Sequence, residues 1–230
     1  MVQQEWSDPA LSDRLAAVRE GVADACRAAG RPDEDVTLIV VTKFHPPELV
    51  RALAGFGVRD VGENRHQEAQ AKAEALSDLD LHWHFIGQLQ TKKARQAARY
   101  ARSIHSIDRT RLVDALTELE RPVDVFLQVN MTDDPGRGGV LPAELSALAE
   151  HTLGNPSLTL RGIMAVAPLD EEPARAFARL ADYSAQVRAV APAATAISAG
   201  MTHDYVEAIA AGATHLRIGS AITGNRPDPR

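Results

Sequence analysis

The sequence has little cysteine, no excess of positive charge and no long apolar run, and each shortage excludes a class of protein. Cys26 is the single cysteine among 230 residues, which excludes a disulfide framework and a cysteine-based metal cluster. The formal net charge is −6, so no basic excess is available to neutralise nucleic-acid or membrane phosphates. No apolar run approaches the roughly 20 residues that span a bilayer. Because the start of the chain also lacks the features of a signal peptide, we expect a cytoplasmic protein.

What the sequence does contain is the composition of an ordinary globular protein, with 45% hydrophobic and 24% charged residues. Apolar residues first recur at spacings of three and four, which predicts a helix from about residue 9 to residue 30, capped by Asp8. Cys26 lies in this apolar stripe, so we expect a buried structural thiol. The positions of the stripe are Leu11, Leu15, Val18, Val22 and Cys26.

After this helix, short apolar runs alternate with helical segments eight times. The predicted strands are 36–43, 60–64, 81–87, 103–108, 123–130, 158–166, 195–199 and 215–220. This alternation predicts an α/β protein, a single-domain (β/α)8 TIM barrel over residues 1–230, with a helical region at 1–35 and the barrel at 36–226. An open doubly wound sheet is the alternative. Against it, no Gly-x-Gly-x-x-Gly follows the first strand, and no linker divides the chain.

Active sites of such barrels lie at the carboxyl ends of the strands, and Lys43 closes the first predicted strand. If the stem of this lysine lies inside the barrel, burial lowers its pKa and favours the neutral amine that forms a Schiff base with an aldehyde. The competing interpretation is a lysine that extends outward from the strand end into solvent.

The loops after the last two strands resemble a phosphate site. Ser198, Gly200 and Thr202 precede a short helix, and Gly219 and Ser220 follow the eighth strand. Glycines let backbone amides approach an anion, and hydroxyls donate further hydrogen bonds. The alternative is that the hydroxyls cap helices and the glycines turn the chain.

Arg217 lies within the eighth apolar strand, where a charge needs a partner. A ligand phosphate, carboxylate or ring nitrogen would serve, and so would an inward ion pair, for example with Glu63. His82 and His84 share one face of the third strand, together with Asp80. No convergent third ligand is marked in the sequence, so we predict no metal site there.

Taken together, these residues resemble the pyridoxal-phosphate homeostasis proteins, the YggS/PROSC family, which are related to the barrel domain of alanine racemases. The resemblance runs from about residue 36 to Arg226. Its motifs are Val40-Val-Thr-Lys43, Gly62-Glu-Asn64, Trp83-His-Phe-Ile-Gly87, Ile104-His-Ser-Ile-Asp108, Gln128-Val-Asn130, Gly162-Ile-Met164, Ser198-Ala-Gly-Met-Thr202 and Arg217-Ile-Gly-Ser-Ala-Ile222.

The resemblance implies that Lys43 holds pyridoxal 5′-phosphate as a Schiff base and that Arg217 faces the ring nitrogen or the phosphate region. It also assigns a phosphate-binding set and a pocket-lining set. The phosphate set is Ser198, Gly200, Thr202, Gly219 and Ser220, and the lining set is Asn64, His84 and Met164.

Two classes of function remain for such a site: a module that buffers or delivers pyridoxal phosphate, and a racemase-like enzyme. A racemase needs a second acid or base opposite the lysine, which in the related racemases is a tyrosine from a separate domain. We expect none of Tyr100, Tyr183 and Tyr205 to serve. A guanidinium at the ring nitrogen also makes the ring a weaker electron sink. We therefore favour the binding role, with no catalytic residue assigned and any catalysis weak.

A third interpretation, a barrel for some other phosphorylated metabolite, requires that Lys43 has no aldehyde partner. For the favoured role the sequence predicts a monomer, with no nucleic-acid or membrane partner. Apo-enzymes that depend on pyridoxal phosphate are the expected recipients of the cofactor.

Overall fold

The computed structural model describes residues 6–132 and 134–224. Its eight strands are all parallel and form a closed barrel in chain order, with β8 paired to β1. The strands are β1 (Thr37–Val41), β2 (Asp60–Glu63), β3 (His82–Phe85), β4 (Ala101–Ile107), β5 (Val123–Gln128), β6 (Leu158–Met164), β7 (Ala196–Ser198) and β8 (His215–Ile218). The prediction of a (β/α)8 barrel is confirmed, and the open doubly wound sheet is excluded.

Helices surround the barrel, one before each strand and one after the last. They are α1 (Leu11–Ala28), α2 (Pro47–Gly55), α3 (His66–Ala75), α4 (Ala94–Tyr100), α5 (Thr110–Asp114), α6 (Leu145–Leu153), α7 (Pro173–Val190), α8 (Tyr205–Ala210) and α9 (Ser220–Thr223). Within the described residues, none of these helices is both long and apolar enough to cross a membrane. Residues 225 and 226, which the sequence assigns to the barrel, lie outside the described residues.

Helix α1 covers the outside of the barrel beside α8 and α9. It begins at Leu11, later than predicted, and Asp8 is not its cap. Asp8 instead accepts a hydrogen bond from the Ala10 amide at 3.1 Å and pairs with Arg14 at 2.6 Å. Cys26 is 1% exposed within the apolar face, as predicted for a structural thiol.

The interior of the barrel is unusually polar, although apolar side chains fill the space between strands and helices. Side chains from β3, β4, β7 and β8 meet inside it and bond one another: His84, His105, Ser198 and Arg217. Because alternate residues of a strand point to opposite faces, each of these strands sends its other side chains outward to the helices. The polar interior leads to the carboxyl ends of the strands, where the candidate site lies.

Candidate functional site

Lys43 lies two residues past the end of β1, in a turn at the carboxyl end of the barrel, and is exposed. Of the two interpretations of Lys43, its exposure agrees with a side chain that extends outward from the strand end, because β1 ends at Val41 and the chain turns immediately afterwards. The amine is therefore open to a ligand that approaches from solvent.

The turn that carries Lys43 is held in a strained conformation. Phe44 has a φ of 69°, a region that costs free energy for a bulky residue and is found most often at functional sites. Its amide donates to Glu68 Oε2 at 3.4 Å. The Phe44 ring lies 5.8 Å from the Lys43 Nζ and 5.1 Å from the guanidinium carbon of Arg65. This ring thus gives both cations an aromatic surface.

A buried ion pair stabilises the same turn through hydrogen bonds to Thr42. Lys72 Nζ lies 2.6 Å from Glu63 Oε1 and donates to the Thr42 carbonyl at 2.8 Å. The Thr42 hydroxyl donates to the same carboxylate oxygen at 2.7 Å. Burial raises the pKa of Glu63, although Lys72 and Thr42 oppose the shift. The three groups fix the backbone immediately before Lys43.

Sequence reasoning missed Lys72 and proposed Glu63 as a partner for Arg217 instead. The signal that could have found Lys72 is Glu63 itself, since a carboxylate at the end of a buried strand requires a cation nearby. Helix α3 follows β2 directly and supplies that cation.

Asn64 follows β2 and borders the mouth of the barrel. Its side-chain Oδ1 is buried and has no hydrogen-bond partner among the described residues. Gly87 lies against its backbone so closely that a Cβ at this position would be 2.1 Å from the Asn64 carbonyl oxygen. Asn64 also lines a cleft of about 440 Å³, between the loops that follow β2 and β3, together with Arg65 and Lys93.

Arg217 is 5% exposed and bonds to groups on two neighbouring strand ends. Its Nη1 donates to Ser198 Oγ and its Nη2 to the Ala165 carbonyl, both at 2.8 Å. Burial lowers the pKa of Arg217 to about 10, while the charge of Asp204 opposes that shift. The guanidinium therefore remains charged at neutral pH.

Two of the predicted site residues have partners inside the barrel rather than at its mouth. Ser198 is fully buried, and its hydroxyl contacts Arg217 and His105. His84 is 4% exposed, with Nε2 2.9 Å from Asp60 Oδ1 and Nδ1 2.7 Å from Ser103 Oγ. Met164 is 2% exposed at the end of β6, in register with Ser198.

The predicted phosphate loops begin on neighbouring strands. The loop after β7 passes through Gly200, whose φ is 92° and whose Cβ, if present, would lie 2.8 Å from that of Ala208. The Gly200 carbonyl accepts from the Arg217 amide at 2.9 Å, which joins this loop to β8. Thr202 is half-buried, and the Met201 amide beside it donates to Asp204 Oδ1 at 2.5 Å.

The loop after β8 is short and leads at once into α9. Gly219 precedes the helix, and Ser220 is exposed at its first position. The amides of Ile222 and Thr223 donate to the Gly219 carbonyl at 2.8 and 2.9 Å, so the amides left for an anion at the start of the helix are those of Ser220 and Ala221. The structure thus brings Gly200, Thr202, Gly219 and Ser220 to one end of the barrel, the end that carries Lys43.

The two histidines of β3 converge on Asp60, not on Asp80. Nδ1 of His82 lies 3.1 Å from Asp60 Oδ1, the oxygen that His84 also contacts. Burial acts to raise the pKa of Asp60, but the hydrogen bonds from His84 and His82 act against it, and the pKa is lowered. Among the described residues, no group of three metal-ligating side chains could hold an ion.

The three tyrosines lie away from the mouth. The Tyr205 hydroxyl points at α1, where it would be 2.4 Å from a Cβ on Gly21. Tyr100 stacks on His66 with ring centroids 5.9 Å apart, and Tyr183 lies within α7 against the core. None of them therefore offers an acid or base opposite Lys43.

The fold and the site define a parallel (β/α)8 barrel that presents a lysine, a buried arginine and two glycine-hydroxyl loops at one end. A family model described as alanine racemase, N-terminal domain, matches residues 14–227. The chain belongs to this family, and within it to the pyridoxal phosphate homeostasis proteins.

Individual relatives agree with that membership. The pyridoxal phosphate homeostasis protein of Corynebacterium glutamicum is 40% identical over 208 residues, which cover 86% of this chain and 93% of the relative. PipY of Synechococcus elongatus, solved with pyridoxal phosphate bound, is 35% identical with a TM-score of 0.81, over 93% of this chain and 100% of that one. Alanine racemase of C. glutamicum shares the fold, with a TM-score of 0.70 and 16% identity, over 93% of this chain and 62% of that one.

Proposed function

We propose that this protein binds pyridoxal 5′-phosphate at the carboxyl end of its barrel and serves the homeostasis of that cofactor. Its task is to hold and release the cofactor rather than to turn over a substrate. One observation carries this proposal: Lys43, Arg217 and the two glycine-hydroxyl loops meet at the same end of one barrel. The family membership and the named function of the relatives support it.

The residues at the mouth fit such a ligand. Asn64 has a buried oxygen without a partner among the described residues, which a bound molecule would satisfy. Arg217 uses Nη1 and Nη2 in two hydrogen bonds, so further donors of its five remain for a ligand. Ser220 is exposed beside the first amides of α9. The mouth therefore offers donors for a phosphate and an amine for an aldehyde.

Pyridoxal phosphate supplies an aldehyde that joins a primary amine reversibly, with loss of water. Lys43 supplies that amine, and its exposure lets the cofactor enter and leave. Thr202, Gly219 and Ser220 hold the phosphate through hydroxyl and amide donors. Arg217 would face the ring, while the Ser198 hydroxyl and the Ala165 carbonyl accept hydrogen bonds from its guanidinium.

The racemase-like alternative receives less support from the same residues. Removal and return of a proton on opposite faces needs two groups, and no tyrosine lies opposite Lys43. A charged guanidinium at the ring nitrogen keeps that nitrogen unprotonated, which weakens the ring as an electron sink. Any catalysis is therefore weak.

We further propose that the protein acts in the cytoplasm as a monomer and that its recipients are apo-enzymes that need pyridoxal phosphate. The partner is in each case a cofactor-free enzyme, because only such an enzyme draws the cofactor away by mass action.

The experiment has two arms. Purified protein is incubated with pyridoxal phosphate and passed through a desalting column, and cofactor that co-elutes is quantified and then offered to an apo-enzyme. Retention and transfer are expected, and cofactor lost on the column would contradict the proposal. In the second arm, α-proton exchange is followed on a panel of amino acids. Turnover of about 1 s⁻¹ or faster, an ordinary enzyme rate, would favour the racemase-like alternative.

A further inference from the structure

A continuous series of hydrogen bonds crosses the barrel interior from the candidate site to the opposite end. We call it the interior chain. Its members, from the mouth to the amino end, are Arg217, Ser198, His105, Ser103, His84 and Asp60. The successive distances are 2.8, 2.8, 2.9, 2.7 and 2.9 Å.

The two ends of the interior chain favour one direction for the bonds in it. Arg217 has only donors, so Ser198 Oγ accepts from it and is left to donate to His105 Nδ1. Ionised Asp60 only accepts, so Nε2 of His84 carries a proton, and in a singly protonated ring Nδ1 is then left to accept.

Between these ends, one arrangement gives every ring nitrogen and both hydroxyls a partner with a single proton on each ring. Nε2 of His105 donates to Ser103, and Ser103 donates to His84. Burial is the main reason that the pKa of His105 lies well below its usual range, which favours the neutral ring. All five bonds therefore point from the cation toward the carboxylate, and each polarises the next.

The middle of the interior chain is buried, whereas its far end, at Asp60, is partly exposed to solvent. Ser103 and His105 are 3% and 0% exposed, and the His105 ring stacks on Phe126 with centroids 4.2 Å apart. Asp60 lines a cleft of about 400 Å³ at the amino end, and its side chain is 26% exposed. The other titratable groups near the chain include His82 on β3, Arg161 on β6, His215 on β8 and Asp204 before α8, and Arg19, Asp33 and Arg59 line the cleft beside Asp60.

We propose that the interior chain couples Arg217 to Asp60, so that a change of charge at Asp60 alters the site at the other end of the barrel. Ser198 and His105 are then positioning residues, which act on a ligand only through Arg217. The coupling deepens the proposed function and rests on it, because it is the ring side of the bound cofactor that Arg217 would face. A change at the cleft would thereby change how firmly the cofactor is held.

The first test reads the ring protons of the wild-type full-length chain without cofactor, by 15N NMR of the imidazoles. The expected result is a neutral His105 with its proton on Nε2, assigned by comparison with His105→Phe. A proton on Nδ1 would reverse the chain at its centre and overturn the proposal. This measurement needs no variant of Asp60, so it stands even if such a variant fails to fold.

The second test compares Asp60→Asn with Asp80→Asn, an exposed carboxylate near the same end that is not part of the chain. Asp60→Asn is expected to shift the 15N signals of both His105 and Arg217, and by more than Asp80→Asn does. Signals that move no more than in the control would overturn the proposal.

A Ser198→Ala background then locates the path of the coupling. In this background Asp60→Asn should still shift His105 but no longer shift Arg217. A response of Arg217 that survives without the Ser198 hydroxyl would mean that the coupling takes another route, against the proposal.

Cofactor retention is measured separately from the NMR coupling along the interior chain. Wild-type protein that retains no pyridoxal phosphate would contradict the proposed function while leaving the NMR coupling intact. Wild-type binding with an uncoupled Arg217 would contradict only the interior chain.

Discussion

Lys72 Nζ lies 2.6 Å from Glu63 Oε1, and the two side chains are 7% and 1% exposed. This pair lies between β2 and α3 and also binds Thr42, the residue before Lys43. The position of the candidate Schiff-base lysine therefore depends on a buried ion pair.

Replacing Lys72 by methionine should strongly destabilise the fold. The substitution keeps the apolar stem but leaves the Glu63 carboxylate buried without a cation, a loss of about 3–5 kcal/mol in comparable pairs. Chemical denaturation measures the free energy of unfolding. The double variant Glu63→Gln/Lys72→Met serves as the control and should recover part of that loss, since the unpaired charge is gone. A single variant as stable as the wild type would contradict the assigned role.

Gly87→Ala should destabilise the protein, because the new Cβ would lie 2.1 Å from the backbone oxygen of Asn64 and the strand end must shift. Overpacking of this kind costs about 1–3 kcal/mol and occasionally more. Gly55→Ala is the matched control, since a Cβ there meets nothing within 4 Å and the helix gains a better helix former. Equal urea midpoints for the two variants would contradict the close approach of Gly87 to the Asn64 backbone.

The stability of the barrel should fall in mild acid. Burial lowers the pKa of His215 from 6.5 to about 4 and also lowers that of His105. Between these values the unfolded chain binds protons that the folded barrel does not, so the free energy of unfolding decreases as the pH falls. From His215 alone the loss between about pH 7.5 and pH 5 is on the order of 2 kcal/mol.

Urea unfolding at a series of pH values checks this expectation. In His215→Phe, whose ring can still pack against Phe126, the decrease between these pH values should be smaller. His105 and His45, whose pKa values burial also lowers, should account for most of what remains. A free energy of unfolding that stays constant across this range would show that both histidines titrate normally in the folded state.

Thr202→Val and Ser220→Ala should weaken the binding of pyridoxal phosphate selectively. Each removes a hydroxyl donor to a charged group, worth about 1.5–3 kcal/mol, or roughly ten- to a hundredfold in Kd. Pyridoxal, which lacks the phosphate, is the control ligand and should bind the wild type and both variants alike. Equal losses for the two ligands would place these hydroxyls away from the phosphate.

The barrel was predictable because its strands repeat a pattern that periodicity alone reveals. The carboxyl ends of the strands then assign Lys43, Gly219 and Ser220 to one end without further information. What periodicity does not reveal is where a strand stops. The apolar run that ends at Lys43 continues two residues past β1, so the sequence leaves open whether the lysine stem lies inside the barrel or extends outward.

The hydrogen-bond partners that side chains find on other strands of the barrel could not be predicted from the sequence either. Arg217 was recognised as a charge that needs a partner, but its contacts with Ser198 and Ala165 come from strand ends that only the closed barrel brings together. The contact between Asp60 and His84 depends in the same way on the register of β2 against β3. Spacing along the chain contains no information about either contact.

The absorbance of the protein after addition of pyridoxal phosphate tests the central claim most directly. Wild-type protein should develop the band of a lysine-bound cofactor, and Lys43→Ala should fold normally without that band. Lys93→Ala is the matched control, since Lys93 also lies beside the mouth, and it should keep the band. A wild-type protein that stays colourless, or a Lys43→Ala variant that keeps the band, would contradict the account.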